Sequence, residues 1–349
     1  MTTKLYEDSP ESIEQIGADI SSIMTESQSD SLYTIPDIEP KSDLQGIPDT
    51  VYLQIKAAIN SGKRHLIFYG PPGTGKTTLA QYVAQELSST SSYEMLTASS
   101  SWTSQELIGG YQPIGDGKIG FVPGAILRNF DRPVVIDELN RCPIDKVIGP
   151  LFSVLSGQAS TLPYKLNVQS DDSPFHVIYP GYKEDPKLHE WCPGPEWRLI
   201  ATLNTVDKSQ LGQISYALSR RFAWIKIGVP ANLDQFVKQI LYREDAGAVP
   251  NPVANLWISV NKIRQIGGAP IIDFIRTVQQ LKSDIDLLSV PNEETQEVLF
   301  AALSMYILPL LDGIRRIEAE TFINDLTQSW QLGMAKRQEL ETEMVDIIV

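Results

Sequence analysis

Histidine and cysteine are scarce in this chain, three of one and two of the other among 349 residues. The scarcity removes whole classes of chemistry. Cys142 and Cys192 lack the paired spacing of a structural zinc site, and His65, His176 and His189 form no two-ligand motif. A reduced compartment without zinc is the expectation. Long apolar runs are missing as well: no segment approaches the roughly 18 residues of a membrane helix, and no charged-then-apolar signal opens the chain, so a cytoplasmic protein with no membrane partner is expected. Positive charge is also short. Lys and Arg number 29 against 43 Asp and Glu, a formal net of −14 with a pI near 4.7, which gives no global attraction for DNA or anionic lipid; direct DNA binding is not expected. The deficit is uneven. The first 43 residues hold ten acidic side chains against Lys4 and Lys41, so their −8 supplies more than half of the excess. Residues 1–44, rich in Ser as well, read as a mostly disordered tail with a short helix around Ser12 to Met24. No internal repeat is visible.

What is present is concentrated in a few motifs. Gly70-Pro71-Pro72-Gly73-Thr74-Gly75-Lys76-Thr77 fills every fixed position of a phosphate-binding loop. It follows the apolar run Leu66-Ile67-Phe68-Tyr69 and precedes a helical pattern starting Thr78-Leu79-Ala80. The glycines let the backbone turn with its N–H groups toward phosphate oxygens, and the following helix offers its positive N-terminus to the same anion. Residues 70–78 are therefore the candidate nucleotide cradle, with Lys76 on the β- and γ-phosphates and Thr77 on Mg²⁺.

Hydrolysis is argued from a second element, Pro133-Val134-Val135-Ile136-Asp137-Glu138-Leu139-Asn140-Arg141. Val134 to Ile136 read as a buried strand of a parallel sheet, delivering Asp137 and Glu138 to its carboxyl end, where open α/β sheets bind ligands. Asp137 is assigned to the metal and Glu138 to the attacking water. A third stretch, Trp197 to Leu203, is an apolar strand pattern that ends in Asn204, an amide placed to bond both the γ-phosphate and the water; the competing role for Asn204 is capping a helix near Asp207. Arg220 and Arg221 close a helical stretch from Ser209 to Ser219 and precede an aromatic strand, Phe222 to Ile227.

These motifs, with Ala201-Thr202-Leu203-Asn204-Thr205-Val206-Asp207 and Ala217-Leu218-Ser219-Arg220-Arg221-Phe222, resemble the AAA+ superfamily, specifically its dynein-related branch of MoxR-like ATPases and McrB-like GTPases. The resemblance covers roughly residues 45 to 290. It implies that Asn204 is the first sensor and that Arg220 or Arg221 is an arginine finger reaching into a neighbouring subunit; Arg221 is preferred, although adjacent arginines are not separable from sequence. It also implies a ring, a hexamer by analogy, and makes Arg141 a further interface candidate. Relatives of the MoxR type read Gly-Ala-Ser-Pro-Arg where a second sensor stands; this chain reads Gly267-Gly268-Ala269-Pro270-Ile271-Ile272, its first arginine being Arg276, so that role stays open. Base choice stays open too: Asn204-Thr205-Val206-Asp207 is similar to a stretch of GTP-using McrB-like proteins, while ATP is the commoner ligand.

The fold class expected is α/β, a P-loop NTPase with a doubly wound parallel sheet followed by a small all-helical lid. The boundaries are a tail to residue 44, a nucleotide-binding core over 45–230 and helices over 231–349. A lead-in helix from Pro48 to Asn60 precedes the first strand, and strand signals fade after Pro230. Two hairpin insertions are expected near 109–124 and 162–197. The first offers Tyr111, Lys118 and Phe121 toward a ring pore by resemblance, and the second carries exposed-looking aromatics around Trp191 and Trp197. The function expected is a Mg²⁺-dependent, ring-forming ATPase that remodels a protein partner; the alternative is the motor, GTP-using or not, of a restriction complex that acts on DNA through a separate nuclease.

Overall fold

The computed structural model describes residues 35–42, 44–205, 214–242 and 251–348. Its centre is a five-stranded parallel sheet ordered β10-β1-β9-β5-β2, in which β1 is His65–Gly70, β2 Glu94–Thr97, β5 Val134–Asp137, β9 Leu199–Asn204 and β10 Phe222–Lys226. Alternation along these strands feeds two separate cores. Leu66, Phe68, Val135 and Ile200 face α1 (Asp49–Asn60) and α2 (Lys76–Glu86), meeting Ile55, Ile59, Leu79 and Val83. Ile67, Val134, Ile136, Leu199 and Ala201 face the other way, onto Ile126, Ile148 and Leu151. A parallel sheet covered on both faces needs apolar residues at every position, which is why these strands lack polar alternation.

Past Pro230 the described chain is helical: α3 Leu233–Ile240, α4 Pro252–Ile263, α5 Ala269–Leu281, α6 Glu293–Tyr306, α7 Arg316–Trp330 and α8 Met334–Val345. Asn232, Asn251 and Asn292 cap three of them by accepting from backbone amides of Gln235, Ala254 and Thr295. These helices share a core of their own around Trp257, Phe274, Phe322 and Trp330. The helix that starts at Glu293 ends at Tyr306, since Pro309 lies in a 3₁₀ turn, Leu308–Leu311.

The boundary of the acidic tail moves. Residues 35–42 and Leu44 lie against the core rather than apart from it: Ile38 is fully buried, and Asp37 and Glu39 both pair with Lys56. The acidic stretch at residues 37–39 here lets an apolar side chain, Ile38, dock while its neighbours bind a lysine. The expected helix from Ser12 to Met24 lies outside the described residues, as does the predicted helix of Ser209–Ser219 up to residue 213; its described end is the turn Tyr216–Ser219.

The first insertion is the expected hairpin, β3 Gly109–Gly115 and β4 Lys118–Pro123, turning at Asp116-Gly117 with both residues at positive φ. The second departs from expectation, forming a three-stranded sheet from β6 Ser160–Lys165, β7 Phe175–Ile178 and β8 Glu190–Trp191. The reason lies between the insertions: Tyr111 and Phe121 of the hairpin pack on Tyr164, and Phe121 also on His176 and Trp191. Those aromatics hold the two insertions together instead of lying open, while Ile114 and Ile119 remain exposed near the hairpin tip. Trp197, expected to be exposed, is buried against His65 and Phe130.

Candidate nucleotide site at the carboxyl edge of the sheet

β1 ends at Gly70, where the chain turns into the glycine-rich loop. A side chain is excluded there: a Cβ on Gly70 would lie 1.9 Å from the Ile227 carbonyl oxygen. The loop is closed on itself, since the Thr74 hydroxyl and the Lys76 ammonium both donate to the Pro71 carbonyl, at 3.0 and 2.6 Å. Burial pushes the Lys76 ammonium down to about 8 against the opposing pull of Asp137 and Glu138. α2 starts at Lys76 directly after Gly75, so its free N-terminal amides adjoin the loop. Thr77 and Thr78 occupy that first turn.

Next to it stand the acids, delivered by β5. The Thr77 hydroxyl donates to Asp137 Oδ1 at 2.7 Å, and the Thr202 hydroxyl donates to the same oxygen at 2.5 Å while accepting from the Glu138 amide at 2.9 Å. Thr202 is 1 % exposed and fixes both acids at once. Sequence reasoning passed over it because one threonine in an apolar strand resembles a β-branched core residue; its only signal is a hydroxyl that must find partners when buried.

Glu138 adopts a left-handed backbone, φ 53° and ψ 46°, a conformation that costs a non-glycine residue ~1–3 kcal/mol and that the surroundings must hold in place. Its Oε1 accepts from Asn204 Nδ2 at 3.2 Å and its Oε2 pairs with Arg141 Nε. Arg141 is thus turned onto the acid three residues before it, within the same chain. Asn204 is brought here by register, opposite Gly70 in the β1–β9 pair; Val206 and Asp207 lie outside the described residues. The Thr77 and Asp137 oxygens, adjacent and hard, suit Mg²⁺, an ion that keeps much of its water and takes phosphate oxygens in place of a full protein cage. Among the described residues no group of three or more His, Cys, Asp or Glu offers such a cage.

Arg220 and Arg221 are elsewhere. Phe222 pairs with His65 and Lys226 with Tyr69, so both arginines sit at the amino end of the sheet, a five-residue strand or ~16 Å from the phosphate loop. The Arg220 guanidinium lies over the Tyr216 ring, and its carbonyl accepts from Lys63 Nζ at 2.9 Å. Arg221 is held by the Ser156 hydroxyl and the Ala217 carbonyl and lies 6.0 Å from the Phe152 ring centroid. Within one subunit the structure therefore assembles residues 70–78, Asp137, Glu138 and Asn204 but leaves the two arginines out.

Helices close the open side of the loop. A cleft of about 510 Å³ runs between Gly73 and Thr78 on one wall and Ile272 and Arg276 of α5 on the other, with Ile47 and Phe236 at its apolar end. Arg276 thus reaches the same cleft as the phosphate loop. The Gly267-Gly268 pair that opens α5 lies directly on that loop: the Gly267 amide donates to the Pro72 carbonyl at 2.8 Å and the Ala269 amide to the Gly73 carbonyl at 3.0 Å.

Residues 65–222 match the family model of the AAA domain of the dynein-related subfamily. Among solved structures, an arginine-to-alanine variant of Thermotoga maritima RuvB is similar at 15 % identity and a TM-score of 0.42, over 88 % of each chain. Brucella abortus NtrX, solved in complex with ATP, is similar at 15 % identity and a TM-score of 0.40, over 97 % of this chain and 75 % of its own.

Proposed function

Residues 65–222 form an AAA domain of the dynein-related subfamily, a nucleoside triphosphatase, and from that premise we propose that the chain is a Mg²⁺-dependent ATPase that works as a ring, a hexamer by analogy, and remodels a protein partner. The observation that carries the ring is the strand-long separation of Arg220 and Arg221 from their own phosphate loop: an arginine finger so placed serves only another subunit. In this reading residues 45–230 are the catalytic core and 231–349 the lid. Residues 70–78 cradle the phosphates, with Lys76 on the β- and γ-phosphates. Thr77 and Asp137 hold Mg²⁺, which when bound neutralises charge developing on the phosphoryl oxygens. Glu138 orients and accepts a proton from the attacking water, Asn204 passes from Glu138 to the γ-phosphate, and Arg221 from the neighbour, supported by Arg220, stabilises the transferring group. The hairpin tip with exposed Ile114 and Ile119 is where a protein partner meets the ring.

Steady-state hydrolysis of ATP and of GTP with Mg²⁺, over a range of protein concentrations, tests this. Activity per subunit that climbs with concentration and favours ATP supports it; activity independent of concentration sinks the in-trans arginine, and a GTP preference transfers the assignment to the restriction-motor alternative.

A further inference from the structure

The turn that leads into Arg220 and Arg221 is too short to hold its own place. Tyr216–Ser219 is a single helical turn, and a first turn fixes about six backbone dihedrals for one hydrogen bond, so it persists only where something outside pins it down. Its own packing is slight: Tyr216 is 79 % exposed, and Leu218 is its buried side chain. The far end is set by β10, where Phe222 pairs with His65. The near end is set by Asp145. The Ser215 amide donates to Asp145 Oδ2 at 2.6 Å and the Ser215 hydroxyl to Oδ1 at 2.9 Å, while that hydroxyl accepts from the Leu218 amide at 3.2 Å. Two bonds to one carboxylate fix orientation as well as distance. The Arg221 guanidinium is held by Ala217, on that same turn, and by Ser156; displacing the turn takes one of its two anchors away.

Asp145 belongs to the segment that leaves the acid pair. From Glu138 the chain runs through the 3₁₀ turn Leu139–Arg141 to a short helix, Ile144–Val147. Leu139, Cys142, Ile144 and Val147 are each 1 % exposed, in the core that also takes Leu218 and Phe222. We propose that Asp145 is a positioning residue for the arginine that this subunit offers to its neighbour: through Ser215 it ties the arginine turn to the acid segment of the same chain and so fixes where Arg221 is presented. This role rests on the in-trans arginine of the ring reading above. The acids themselves do not depend on the tie, because Thr202, Asn204 and Arg141 hold Asp137 and Glu138 from other directions. Loss of Asp145 therefore acts on the site next door and spares the subunit's own. A misplacement of ~1 Å at a reacting centre costs ~10²-fold in rate, and that is the loss expected of Asp145→Asn.

Mixed full-length subunits give each copy one task. In a mixture of Glu138→Gln and Arg221→Ala, the first supplies only an arginine and the second only an acid site, and the recovered ATP hydrolysis reads their contact. Asp145→Asn added to the Glu138→Gln copy is expected to lower that recovery ~10²-fold, while the same change added to the Arg221→Ala copy leaves it in place. Ser215→Ala shows the same polarity in weaker form, and Ser215→Thr, which keeps the hydroxyl, restores the recovery. Binding of a fluorescent ATP analogue, unchanged by Asp145→Asn in either copy, reports that each copy is folded around its own site. Equal loss in both arrangements, or weakened nucleotide binding, shows that Asp145 only supports the fold; loss in neither, or only on the acid copy, shows that it does not place the arginine. Each of these overturns the inference. No recovery in the pair that carries neither change at 145 nor at 215 overturns the in-trans arginine itself, and the role of Asp145 with it.

Discussion

Gly267→Ala isolates the seam between helical lid and phosphate loop. A Cβ at this position would lie 2.2 Å from the Gly73 carbonyl carbon and oxygen and 2.3 Å from the Thr74 amide nitrogen, all of them backbone atoms of the loop. Gly267 is not in the left-handed region, so alanine can adopt its dihedrals and the whole penalty comes from proximity. The lid must back away, and the two bonds it makes to Pro72 and Gly73 are lost. At ~1 kcal/mol each, their loss weakens nucleotide binding by up to ~30-fold, given ~1.4 kcal/mol per decade. Titration of a fluorescent ATP analogue in Mg²⁺ measures this. Gly181→Ala, whose Cβ meets nothing within 4 Å, is the control and binds as the parent does. The lid has its own core around Trp257 and Trp330, so its helices persist in far-UV circular dichroism. Parental affinity in Gly267→Ala would refute the claim that the lid is seated on the loop.

Glu138→Gln is expected to retain ATP while hydrolysing ~10²–10⁴-fold more slowly; mixed with Arg221→Ala subunits it recovers activity, because some sites then combine an intact acid with an intact arginine, and no recovery at any ratio counts against a finger in trans. Thr202→Val leaves the Glu138 amide without its acceptor and removes one of the two donors to Asp137 Oδ1, Thr77 remaining, which costs ~1–3 kcal/mol of stability in urea unfolding and raises the Mg²⁺ concentration for half-maximal activity; a variant equal to the parent in both would show that Thr202 only fills space. His65 is buried, accepts the Leu199 amide on Nδ1, and has its pKa lowered by burial from 6.5 to about 3. The unfolded chain therefore takes up a proton that the folded one refuses. Stability is intact above pH ~6.5 and falls by up to ~1.4 kcal/mol per unit toward pH ~3, so His65→Phe should flatten that part of the acid-unfolding curve; superimposable slopes would contradict the assignment.

Consecutive motifs were readable without a structure because their chemistry is local. The loop at 70–78 and the acids after Val134-Val135-Ile136 are set by neighbouring residues and a strand end, and the alternation of strands and helices gave the sheet and lid. Pairwise facts across the chain were not readable. Thr202 becomes a hinge of the site only when β9 lies beside β5. Tyr111 and Phe121 were read as free to grip a partner, yet their surroundings come from an insertion some fifty residues later. Trp197 stands in the sequence among the exposed-looking aromatics, whereas the cavity it fills belongs to His65 and Phe130. Arg141 reads in sequence as an interface contact or a surface salt bridge, and its pair with Glu138 across a single 3₁₀ turn, Leu139–Arg141, depends on that local geometry.

The opposed ends of the sheet carry a further consequence. On the proposal that Arg221 of one subunit completes the site of the next, acids at the carboxyl edge and arginines at the amino edge make that contact head-to-tail, so a two-fold dimer that pairs like surfaces completes nothing. An open row of n subunits holds n − 1 finished sites, with one unused arginine face at one end and one unaided acid pair at the other. Closure alone removes both orphans, and the last subunit to join contributes two sites where each one added to the open row contributed one.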